Sequence, residues 1–96
     1  MVRNGSTTEP VVQLSQDVNQ QQASREQQVT DQLLAQTASN LKTLAARQLT
    51  SGQLDTVTQI KTYMEQSRAA ENEGDLQRAH NLALKANLLS ADLVGH

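Results

Sequence analysis

The chain has 96 residues, room for one small domain, and a formal charge of −2 that offers no cationic surface to nucleic acid or an anionic membrane. Only Tyr63 is aromatic, and the absence of cysteine excludes disulfides, thiolate nucleophiles and thiolate metal sites. The apolar residues are mostly Leu, Val and Ala, which favours helix over sheet.

Residues 1–14 combine Asn4, Gly5, Ser6, Thr7, Thr8 and Pro10 with few apolar positions and read as a disordered lead or linker. A helical domain is expected over residues 15–96. Ser15 and Ser24 are candidate N-caps, and Ser24 with Gln27 three residues on has the spacing of a capping box. The core-making helix is expected over about residues 24–49, on Val29, Leu33, Leu34, Ala38, Leu41, Leu44, Ala45 and Leu49, with a possible extension from residue 15. The Gln-rich stretch from Gln13 to Gln36 reads as a polar spacer or, alternatively, as a helix that pairs with another copy of itself.

Thr50-Ser51-Gly52 breaks the pattern, with Ser51 the expected cap and Gly52 the expected turn residue. A second helix is expected over about 53–73, placing Leu54, Val57, Ile60, Lys61, Met64 and Ser67 near one stripe. Glu73-Gly74-Asp75 is the clearest punctuation in the chain. Gly74 suits a left-handed residue, and Asp75 suits the N-cap of a third helix over about 75–94. That helix carries Leu76, Ala79, Leu82, Ala83, Ala86, Leu89 and Leu93 on one apolar stripe, with Leu84, Leu88 and Ala91 widening it toward a second face. The short link makes the last two helices antiparallel. Alone they bury too little, so the first helix is expected to close an all-α three-helix bundle with a C-terminal helical hairpin. Ala79, Ala83 and Ala86 would form its close-contact seam.

Tyr63, Ser67, Gly74, Ala79 and Ala86 fall where a tetratricopeptide-type hairpin has its aromatic, small residue, turn glycine and paired alanines. The hairpin resembles one such repeat. It departs from the pattern in occurring once, in lacking a following Pro, and in Gln66. The runs from Ile60 to Arg68 and from Glu73 to Ala86 are similar to C-terminal regions of uncharacterised bacterial envelope lipoproteins. The resemblance implies a periplasmic or envelope location, a cytoplasmic one being the alternative. Because the lipidated cysteine and its leader are missing, it implies the soluble portion of such a protein.

No catalytic, cofactor-binding or metal-binding residue is expected. His80 and His96 have no second ligand at zinc-binding spacing, and His80 falls beside the apolar stripe as a boundary residue. Glu65, Glu71, Glu73 and Asp75 cluster around one turn, but Lys61, Arg68 and Arg78 stand three or four residues away and point to ordinary solvated pairs. The four glycines are isolated, so no phosphate loop exists. Tyr63 is either a packing residue or an exposed anchor for a partner. The expected function is a non-enzymatic protein–protein interaction or structural module without cofactor and without membrane insertion, its protein partner unspecified. The alternative is a self-associating, coiled-coil-like protein forming a homodimer.

Overall fold

A computed structural model describes the backbone from Arg3 to His96 and the side chains from Gln20 onward. Its elements are α1 (Arg3–Ala45), α2 (Ser51–Asn72) and α3 (Leu76–Gly95), packed as an all-α three-helix bundle. Helix α1 is continuous from Arg3, well before the start at residue 15 or 24 read from the caps. The side chains of Val11, Leu14 and Val18, on which the pairing alternative would turn, lie outside the described residues, as do those of the expected lead.

Two boundaries near the α1–α2 link differ from expectation. Helix α1 ends at Ala45, not Leu49, and its last turn tightens through bonds from Ala46 N–H to the Thr43 carbonyl (3.2 Å) and from Arg47 N–H to that of Leu44 (3.0 Å). The cap of α2 is Thr50, not Ser51. Thr50 Oγ1 accepts from the Gln53 N–H at 3.1 Å, while the Thr50 N–H donates to Gln53 Oε1 at 2.9 Å. That reciprocal box needs Gln or Glu three residues on. Thr50 has Gln53 there, whereas Ser51 would have Leu54. Gly52 consequently sits in the first helical turn and lacks the positive φ of a turn residue.

Between α2 and α3 the turn closes in the Schellman pattern. Asp75 N–H donates to the Ala70 carbonyl at 2.9 Å and Gly74 N–H to that of Glu71 at 3.0 Å. Gly74 has φ +81°, the left-handed region that side chains disfavour. Asp75 caps α3, accepting from the Arg78 N–H at 3.3 Å.

Helix α3 lies between the other two and supplies the small residues. Ala79, Ala83, Ala86 and Ser90 are buried at successive spacings of four, three and four. Larger side chains come from the flanks: Leu34 and Leu44 from α1, Ile60 and Met64 from α2. Placing alanines against leucines and isoleucine lets helix axes approach while the volume is still filled. Thr30, Thr37, Ser67 and Ala70 are also buried, although the apolar stripes omit all but Ser67. Conversely Val29 and Leu54 are exposed, as are Ala38, Ala45 and Lys61. Helical phase explains Thr30 and Thr37: with Leu34, Leu41 and Leu44 they make an unbroken run of spacings of three and four.

Cross-links between α1 and α3 run in register. Asn87 Nδ2 donates to Gln36 Oε1 (3.3 Å), Asn40 Nδ2 to Ser90 Oγ (3.0 Å), and Arg47 Nη1 to the Val94 carbonyl (3.0 Å). Numbers rise together on both helices, so these two are parallel and α2 is antiparallel to both. Helices α1 and α2 meet at only a few points, which leaves a groove between them. The molecule is 73 Å long because α1, with 43 residues, far outruns the hairpin.

Candidate interaction surface

The face of α3 turned away from the core carries Leu84, Leu88 and Ala91. Leu88 is 60% exposed and Leu84 38%, unusual openness for leucines on the most apolar helix of the chain. Phase dictates this: the three residues share a stripe well round the helix from Ala79, Ala83 and Ala86, so burying one set exposes the other. Tyr63 stands at the edge of that face, half-buried, with Leu88, Leu89, Lys85 and Gln59 forming a shallow hollow around it. Lys85 Nζ lies 5.9 Å from the Tyr63 ring centroid, within reach of a cation–π contact, and Gln59 Nε2 donates to the phenol oxygen at 3.2 Å. The ring thus packs by one side and remains open on the other, sharing features of both sequence readings.

The other residues singled out in the sequence are structural in position. Ala79, Ala83 and Ala86 are fully buried, Gly74 makes the turn, and Asp75 caps α3. Ser67 Oγ donates to the Ala79 carbonyl at 2.7 Å, tying α2 to α3 through the alanine seam.

Acidic residues near the turn do not converge. Glu65, Glu73 and Asp75 are exposed, and only Glu71 is half-buried. Glu71 faces the α1–α2 groove beside Asp31, Leu34, Ala38 and Arg68. Burial raises its pKa above the ordinary carboxylate range; a hydrogen bond and the charge of Asp31 push the same way, against Arg68. One oxygen, Oε2, is shut from solvent without a partner. No sequence signal pairs Asp31 with Glu71, since they belong to different helices. Nor do the expected ion pairs of Lys61, Arg68 and Arg78 close: among the described residues the one contact between a basic and an acidic side chain within 4.0 Å is that of His96 Nε2 with Asp92 Oδ1, at 3.4 Å.

His80 is half-buried at the α1–α3 boundary, beside Arg25, Glu26 and Val29, its Nδ1 enclosed and unpartnered. Among the described residues no three His, Asp or Glu side chains are placed to hold a metal ion, and no helix is long and apolar enough to cross a membrane. Comparison with protein-family models, with curated proteins and with solved structures finds no match for this chain.

Proposed function

We propose that this chain is a non-enzymatic protein–protein interaction or structural module. The observation that carries the reading is the outer face of α3, where Leu84 and Leu88 stand open beside the half-buried Tyr63 and its Lys85. Exposed leucines in phase with one another, next to an aromatic ring and a cation, are the ingredients of a helix-docking face. We further propose, from the resemblance of residues 60–68 and 73–86 to envelope lipoprotein C-termini, that the module belongs to the soluble part of a bacterial envelope protein.

Affinity capture from envelope extracts tests the reading when wild type is run beside Leu88→Asp and Tyr63→Ala. A protein retained by wild type and lost from both variants, with melting temperatures held, is the expected result. Capture indifferent to both substitutions would remove the face from consideration.

Self-association through α1 is a second reading, favoured by the length of α1 that overshoots the hairpin. Gln20, Gln21 and Gln22 on that overshoot are exposed, so nothing among the described residues covers it there. Light scattering over a concentration series separates a monomer from a dimer held in this way.

A further inference from the structure

We infer that the outer face of α3 pairs with the same face of a second copy, antiparallel, through Leu84, Leu88 and Ala91 flanked by reciprocal Lys85–Asp92 ion pairs. The inference rests on the interaction-module reading above and names its partner. Three observations lead to it. First, Leu84, Leu88, Ala91 and Gly95 follow one another at spacings of four, three and four, the repeat of a two-helix seam, and all four are exposed. Second, Lys85 and Asp92 stand seven residues apart, two helical turns, and so occupy the same flank of that seam. Third, both charges are available: among the described residues Lys85 has no carboxylate within 4.0 Å, and the Asp92 side chain is 73% exposed with only His96 nearby.

Geometry then selects the arrangement. In an antiparallel twofold pair each flank meets its own counterpart, because the same patch serves both copies. A twofold axis midway between Leu88 and Leu89 sets Lys85 of each copy opposite Asp92 of the other. The two opposite charges on one flank are therefore self-complementary. A parallel pair would bring that flank against the Asn87 side, where Asn87 is already engaged with Gln36 and no charge answers. A single helix pair is a small contact, at the low end of specific interfaces, so the association is weak and concentration-dependent.

Sedimentation equilibrium of the full chain, from about 10 µM to about 1 mM, provides the test. Wild type should move from monomer toward dimer. Lys85→Glu and Asp92→Lys should each weaken the dimer about tenfold, since each turns two attractive contacts into repulsions, and the double variant should recover wild-type association. Leu88→Asp should abolish it. All these positions are exposed, so melting temperatures of dilute samples should hold and exclude misfolding as the cause. A wild type that stays monomeric, or a double variant no better than the singles, overturns the inference. A dimer lost in Val18→Asp yet untouched by the α3 variants overturns it too, and assigns assembly to α1. The broader reading fails separately: a monomer that still captures a protein through Leu88 sinks only the second copy, whereas neither dimer nor capture sinks both.

Discussion

Thr30 is fully buried and its hydroxyl has no partner, while Thr37, one heptad later on the same stripe, donates to the Leu33 carbonyl at 2.7 Å. A buried polar atom left unpaired forfeits its hydration and gains nothing back. Thr30→Val keeps the shape and removes the orphan, so it should stabilise the fold by about 1 kcal/mol. Chemical denaturation compares it with Thr37→Val, which sacrifices a bond that is made and should not stabilise. If both substitutions behave alike, the Thr30 hydroxyl has a partner in solution.

At the scale of elements, Gly74 gives the cleanest case. A Cβ added there would meet nothing within 4 Å, so any penalty comes from the backbone angle alone. Gly74→Val should cost roughly 1–2 kcal/mol or somewhat more, and Gly74→Asn much less, because Asn tolerates the left-handed region. Thermal melts of the two variants decide it; equal melting temperatures would mean the turn relaxes to another form. The alanine seam makes the opposite demand, for lack of space. Ala83→Leu should overpack α3 against its neighbours and cost roughly 1–3 kcal/mol, read as a lowered urea midpoint. These features were legible because each is local: a glycine between two helical runs, an Asp after it, alanines at spacings of three and four. The α2 cap was misassigned by one residue because Ser51 and Thr50 are both good caps, and only the reach of Gln53 separates them. Thr30, Thr37 and Ser90 escaped because a stripe drawn from hydrophobicity passes over small polar residues that helical phase nevertheless turns inward, and Ala70 because the stripe was ended at Ser67, one step of three before it. The outer leucines of α3 were visible as a second apolar face, whereas the meeting of Lys85 with Tyr63 depends on how α2 and α3 dock.

For the molecule as a whole, the seam between α1 and α2 is the loosest, and it holds the Asp31–Glu71 carboxyl pair. The fold raises the Glu71 pKa, so around that pKa it binds more protons than the unfolded chain. Stability must then fall as pH rises through the raised value, and recover on acidification until other carboxylates protonate. Glu71→Gln removes the charge that burial and Asp31 oppose. Its melting temperature should exceed wild type at pH 7, with the gap narrowing toward pH 4. A gap that stays constant across that range would show Glu71 titrating alike in folded and unfolded chains.

The parallel course of α1 and α3 also orders events in time. Ser67 and Ala79 are joined across 12 residues, but Asn40 and Ser90 across 50 and Gln36 and Asn87 across 51. Closing the longer loop sacrifices more chain entropy before any contact rewards it. The α2–α3 hairpin should therefore be structured in the rate-limiting transition state, and α1 should dock afterwards. In stopped-flow refolding, Ala79→Gly should slow folding, whereas Leu34→Ala should chiefly speed unfolding. The reverse partition would mean that α1 and α3 find each other first, with α2 threading in last.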